Sequence, residues 1–256
     1  MRRVSPFVCE GVGVLKTGTK IFLSAAGLTS AAAFLFGYTL WQAPVTRKRG
    51  KLHLACVGDS VTYGCALPLF FLRRYPAVLQ RLLGSEVQVV PFAVNDRTRQ
   101  DSGNKPFRRE RSYRKSLEFQ PQTVVILLGT NDSKACNWIS AEAFRREYAS
   151  LIAAYRALPT KPRILICTLP CAFRPPRILS FITTDAMVER IPEIAAEIRA
   201  IAAAEGVELV DLYALTEGRR ELFGPDGLHP SPAGARRIAE EVRAALQHET
   251  REPGRP

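Results

Sequence analysis

LHLACVGDS, Leu52 to Ser60, is a short, mostly apolar run that ends in glycine and breaks into a polar turn. Seven residues of this kind, closed by Gly58, predict a buried strand rather than a helix. The same pattern returns along the chain. VQVVPFAV (Val87–Val94), TVVILLG (Thr123–Gly129), RILICTL (Arg163–Leu169) and VELVDL (Val207–Leu212) each read as a strand. TVVILLG shows no polar alternation, as expected of a parallel strand covered on both faces. Between these runs lie helical spacings. Pro68 to Leu83 carries Leu72, Tyr75, Leu79 and Leu82; Ala141–Leu158 is a helix; Asp185–Glu205 is largely helical despite Pro192. Pro232–Gln247 closes the chain, with Ser231 placed to cap it. Asn95 to Glu118 is polar and arginine-rich, without a clear element. Strands alternating with helices predict a doubly wound parallel sheet of about five strands in a three-layer α/β/α arrangement. Functional residues are then expected beyond the carboxyl ends of the strands.

The 256 residues allow one well-buried domain. A hydrophobic content of 46% and a charged content of 23% exclude disorder as the main state. The formal charge of +12 suggests nucleic acid at first sight, but residues 1–51 hold eight basic side chains against Glu10 alone. Those charges flank Ile21–Trp41, an uncharged segment ending in Tyr38 and Trp41. As a helix it would be roughly 30 Å long, enough to cross a bilayer. The expected organisation is therefore a tail over 1–20, a transmembrane helix or signal anchor over 21–41, a basic linker over 42–51, the catalytic domain over 52–248 and a tail over 249–256. A cleaved signal peptide competes, but bulky Trp41 and Pro44 flank its best cleavage site. No nucleic-acid partner is expected. The six cysteines form no CxxC pair, so free thiols are the default and no metal site is expected.

Three strand ends carry chemistry. Gly58-Asp59-Ser60 follows the first strand, Gly129-Thr130-Asn131-Asp132 the third, and Asp226-Gly227-Leu228-His229-Pro230 comes after the fifth. A serine, an amide, a carboxylate and an imidazole thus arrive at one edge of one sheet. This is the inventory for acyl transfer through a covalent serine intermediate. Ser60 is the expected nucleophile, His229 its base, and Asp226 the group that holds the imidazole. The Asn131 amide and the Ser60 backbone N–H are candidate oxyanion donors. Taken singly, each motif is also an ordinary turn, with Asp132 as a cap. The joint occurrence carries the reading, with Asp59, Gly129 and Asp132 in support. Of the other histidines, His53 is in or beside a strand and His248 is in the tail.

These blocks resemble the SGNH (GDSL-type) hydrolase superfamily from about Leu52 to about Leu246. GTNDSKACNW, Gly129 to Trp138, is similar to a bacterial branch of sialate or carbohydrate O-acetylesterases. The resemblance implies a flavodoxin-like fold, no cofactor and an extracytoplasmic catalytic domain. It also implies a third oxyanion donor, a glycine N–H in block two. Here the aligned stretch is Phe92-Ala93-Val94-Asn95-Asp96-Arg97-Thr98, with Asp96 where the glycine should stand. Aspartate tolerates the left-handed backbone the donor needs. Its carboxylate is expected to lie near the developing oxyanion and to disfavour it.

The stretch that follows holds Arg97, Arg99, Lys105, Arg108, Arg109, Arg111, Arg114 and Lys115. It reads as a solvated loop, with an anionic substrate or lipid surface as the alternative. The expected activity is removal of a small acyl group, acetyl above all, from a glycan or small-molecule ester. A membrane lysophospholipase or thioesterase, and a weakened module that binds glycan or a partner, are the alternatives.

Overall fold

The computed structural model describes residues 45–248. Five strands form one sheet: β1 (Leu52–Gly58), β2 (Val87–Ala93), β3 (Thr123–Leu127), β4 (Arg163–Cys167) and β5 (Glu208–Val210). All neighbours pair in parallel, in the order β2-β1-β3-β4-β5. The chain steps outward from β1 to β2, then crosses back over β1 to β3. That reversal makes a crevice at the carboxyl ends of β1 and β3, where open parallel sheets place their ligands.

The helices are α1 (Ser60–Tyr63), α2 (Phe70–Arg73), α3 (Tyr75–Leu83), α4 (Arg111–Glu118), α5 (Ala141–Arg156), α6 (Asp185–Glu205), α7 (Leu212–Thr216) and α8 (Pro232–His248). α3 and α8 pack on each other in one layer; α5 and α6 pack together in the other. α4 joins that second layer through Ser116, whose hydroxyl lies 2.6 Å from that of Tyr155 on α5. Between the layers the inner strands are dry: Val124 to Leu128, Ala55 to Val57 and Leu165 to Cys167 are fully buried. Cys56 and Cys167 sit in this core as small apolar residues, and burial pushes the Cys56 thiol up to about 12. Cys56, Cys65, Cys167 and Cys171 are free thiols, as expected.

The sequence pattern misses two details. The helix expected over Pro68–Leu83 is two helices, broken at Arg74, whose backbone is extended. Pro76 has no N–H to give the Leu72 carbonyl, so α3 restarts there with proline in its first turn. The Arg81 guanidinium bonds the Leu72 carbonyl instead, at 2.8 Å. Pro192, by contrast, lies inside α6, which continues through it. Second, the stretch Asn95–Glu118 holds helix α4 and a buried arginine, and is no solvated loop: Arg99 has no exposed surface. Its guanidinium donates to the Glu147 carbonyl at 2.6 Å and lies over the Tyr148 ring. Arg97 pairs with Glu110, and Arg108 with Asp101.

Ile21–Trp41, expected to cross a membrane, lies outside the described residues. Among the described residues no helix is long and apolar enough to do so.

Candidate active site

Ser60 opens α1 directly beyond β1. The turn that puts it there is tight: a Cβ on Gly58 would lie 1.9 Å from the Thr62 hydroxyl and 2.7 Å from the Leu127 carbonyl. Only glycine fits between the two strands' ends. Asp59 caps the turn, its Oδ1 accepting the Val61 N–H at 3.0 Å. Ser60 is the first residue of that helical turn, so its own N–H has no intrahelical acceptor and is open to an external one.

Asp226 and His229 come from a tight loop between β5 and α8. The loop closes through the Gly224 N–H to the His229 carbonyl at 2.8 Å. Asp226 Oδ1 accepts the backbone N–H groups of Leu228 and His229, both at 3.0 Å. That leaves Oδ2 for the ring: His229 Nδ1 lies 2.7 Å away. His229 Nε2 lies 3.0 Å from Ser60 Oγ. All three side chains are buried or nearly so. Burial works to raise the Asp226 pKa, yet the bonds from the His229 ring and the Leu228 N–H hold it below the ordinary carboxylate value. A charged Asp226 fixes the tautomer with the proton on Nδ1 and frees Nε2 to accept from serine.

The loop is stitched to Cys171–Thr184, the segment beyond β4. Gly227 takes φ +70°, and a Cβ there would stand 2.1 Å from the Phe173 carbonyl. The Phe173 N–H donates to the Gly227 carbonyl at 2.8 Å, and the Thr183 hydroxyl to the Asp226 carbonyl at 2.8 Å.

Asn131 follows β3 and Gly129, which turns the chain with φ +133°. Its Nδ2 donates to the Arg97 carbonyl at 3.1 Å. A primary amide has two N–H groups, so one remains for the pocket that Asn131 lines. Asp132 does not act as a cap. It is fully buried, and its two oxygens accept the N–H groups of Arg99 at 2.6 Å and Gln100 at 2.7 Å. It therefore ties block three to the loop that carries Asp96. Burial pushes the Asp132 carboxyl up to about 7 against those two bonds, and the Asp59 carboxyl up to about 6.

Asp96 has the left-handed backbone anticipated for it, φ +61°. Its carboxylate is not the uncompensated charge that the sequence suggested. Lys105 reaches it at 2.5 Å, and Lys134 bonds its other oxygen. Burial alone would raise the Asp96 pKa, but the two ammonium groups hold it below the ordinary value. Two lysines on one carboxylate leave the local charge positive, so the handicap to an oxyanion is offset.

Ser60, Asn131, Asp96 and His229 line one cavity of about 190 Å³, together with Cys65, Asn95, Lys134, Phe181, Ile182 and Leu228. Sequence reasoning missed Lys134 and Phe181. Lys134 stood inside the quoted GTNDSK run; nothing in the pattern of Phe181 marked it. His53 is buried at the opposite end of β1, bonded by Arg47. Among the described residues no cluster of three or more His, Cys, Asp or Glu side chains could hold a metal ion.

The chain has counterparts among known proteins. Residues 56–237 match the GDSL-like lipase/acylhydrolase family model, which spans every site residue named above. The chain belongs to the GDSL-like lipase/acylhydrolase family. Within the GDSL-like proteins it is 33% identical over 218 residues to an acetylxylan esterase of Xylanibacter ruminicola. That match covers 78% of this chain but 44% of the relative, so the chain spans less than half of the relative's length. Two solved structures share the fold. A carbohydrate acetylesterase from Sinorhizobium meliloti superposes with TM-score 0.63 at 18% identity, over 77% of this chain and 98% of that one. The aryl esterase of M. smegmatis does so with TM-score 0.60 at 22% identity, over 78% and 99%.

Proposed function

We propose that this GDSL-like protein is a serine esterase that removes a short acyl group, acetyl above all, from a carbohydrate hydroxyl. The unbroken row from Asp226 through His229 to Ser60, at 2.7 and 3.0 Å, carries this reading. In the reaction Ser60 Oγ bonds the acyl carbon while His229 Nε2 takes its proton. The carbonyl oxygen becomes an oxyanion facing the Ser60 N–H, the Asn131 amide and the Asp96 N–H. Collapse breaks the bond to the alcohol, which leaves with the proton from His229. Water then repeats the sequence on the acyl-enzyme, releasing the acid and restoring Ser60. Asp226 stabilises the imidazolium in both halves. The cavity of about 190 Å³ has room for a short acyl group, not for an enclosed long chain. The acetylxylan esterase and carbohydrate acetylesterase relatives support the same substrate class. The test is hydrolysis of 4-nitrophenyl acetate beside a long-chain ester, with Ser60→Ala as control. Preference for acetyl, abolished in Ser60→Ala, is expected; preference for the long chain would favour a lipid substrate.

We also propose that Ile21–Trp41 anchors the protein as a single-pass membrane span with the catalytic domain outside the cytoplasm. Its uncharged length supports the span; basic residues lie on both sides of it, so the family likeness, not the charge, supports the outward placement.

A further inference from the structure

Resting on the esterase reading, we propose that Phe181 and the Asp96–Lys134 ion pair form an acceptor subsite that holds the sugar ring of the ester, its apolar face on Phe181 and its hydroxyls on the pair.

Three features support it. Phe181 is 72% exposed and lines the same cavity as Ser60 and His229. Beside the reaction centre, the exposed ring offers apolar area whose burial by a bound ligand is favourable. Next, Asp96 and Lys134 line that cavity too, their side chains 38% and 32% exposed. Pairing with Lys105 and Lys134 uses part of the Asp96 carboxylate's acceptor capacity; a carboxylate has about four lone-pair sites, so others remain. An ammonium has three donors, and Lys134 spends one on Asp96. The pair therefore offers acceptors and donors side by side. Finally, Asn95 adds a further polar residue to the lining.

A pyranose suits this combination. Its C–H bonds give it an apolar face, and its hydroxyls both donate and accept. A simple aliphatic acyl chain would use Phe181 but leave the charged pair unsatisfied. A purely anionic ligand would be met by Lys134 but opposed by Asp96. The pair also holds itself in place without substrate, so little ordering is left to binding.

The experiment compares two substrates: an O-acetylated methyl pyranoside, followed by acetate release, and 4-nitrophenyl acetate, which has no sugar. Wild type, Lys134→Met and Phe181→Ala are assayed on both. The ratio of kcat/KM for the sugar ester to that for the aryl ester is expected to fall about tenfold or more in each variant, through KM, the scale of one lost charge-assisted hydrogen bond. Lys134→Arg, which keeps a donor, should recover part of the ratio. Lys134→Met also leaves Asp96 with Lys105 alone beside the oxyanion, so its rate on both esters should fall; the subsite is read from the ratio, and a ratio within threefold of wild type in both variants would overturn it. Failure of the esterase reading is distinguishable, because it appears as no hydrolysis of either ester by wild type. Saturation-transfer NMR of methyl pyranoside with Ser60→Ala then tests the subsite without catalysis. Transfer to the sugar, weakened by adding Lys134→Met or Phe181→Ala, supports it; no transfer overturns it. Binding of neutral phosphatidylcholine vesicles that is lost in Phe181→Ala, with the sugar ratio unchanged, would assign Phe181 to a lipid surface instead.

Discussion

Asp132 accepts the backbone N–H of Arg99 at 2.6 Å from within the core, across 33 residues of chain. With its second bond to Gln100, it sets the height of the loop that presents Asp96 to the pocket. The carboxylate thus positions the loop of Asp96, the proposed oxyanion donor, without lining the cavity itself.

Replacing Asp132 by asparagine turns one acceptor into a donor that faces a backbone N–H. Losing a buried hydrogen bond of this kind costs about 1–3 kcal/mol. In a protein of this size that is roughly 2–12 °C in Tm. kcat should fall with it, because the Asp96 loop is released. The pH dependence is diagnostic. Burial raises the folded-state Asp132 pKa from the ordinary 3.8 to about 7. A raised carboxyl contributes stability that is full below the unfolded value and lost as pH rises towards the folded one. The gap in Tm between wild type and Asp132→Asn should therefore shrink from pH 4 to pH 7. A gap that widens over that range would contradict the assignment.

Asp226→Asn keeps an acceptor for the Leu228 and His229 N–H groups, so the loop should stay folded. The amide cannot stabilise the imidazolium and favours the wrong tautomer, which costs about 10⁴ in kcat. Thermal melting and kcat measured together should show unchanged melting and that loss. Activity within tenfold of wild type would remove Asp226 from the mechanism.

Much of this site was legible in the sequence, for a physical reason. Gly58-Asp59-Ser60 and Asp226-Gly227-Leu228-His229 are local turns whose geometry their own residues set. The strands were legible because burial on both faces demands unbroken apolar runs. What stayed hidden depends on pairs distant in the chain. Lys105 and Lys134 neutralise Asp96 from 9 and 38 residues away. Arg99 reads as a surface residue until Glu147 and Tyr148 enclose it. The break at Arg74 was marked by Pro76, but the apolar spacing on either side ran through it.

Gly58→Ala should be among the most damaging single-methyl additions. The new Cβ would meet the Leu127 carbonyl, which belongs to a central strand and cannot yield as a side chain can. Overpacking of this kind costs about 1–3 kcal/mol, so Tm should drop by roughly 2–12 °C. Esterase activity should fall further than stability does, since Ser60 is two residues away. An unchanged Tm would show that the turn has more room than its geometry indicates.

The full-length chain should sediment with membranes and stay there in high salt, because a spanning segment is held by apolar burial rather than by charge. Release by salt alone would leave electrostatic attraction as the only tether and contradict an anchor at Ile21–Trp41.

Covalent trapping of the nucleophile tests the esterase mechanism most directly. A fluorophosphonate probe is applied to wild type, Ser60→Ala and His229→Ala, and the adduct is mapped by peptide mass spectrometry. One adduct is expected, on Ser60; it should be absent from Ser60→Ala and form far more slowly in His229→Ala. kcat for 4-nitrophenyl acetate should fall on the order of 10⁶-fold in Ser60→Ala. An adduct at another residue, or hydrolysis by Ser60→Ala within tenfold of wild type, would contradict Ser60 as the nucleophile.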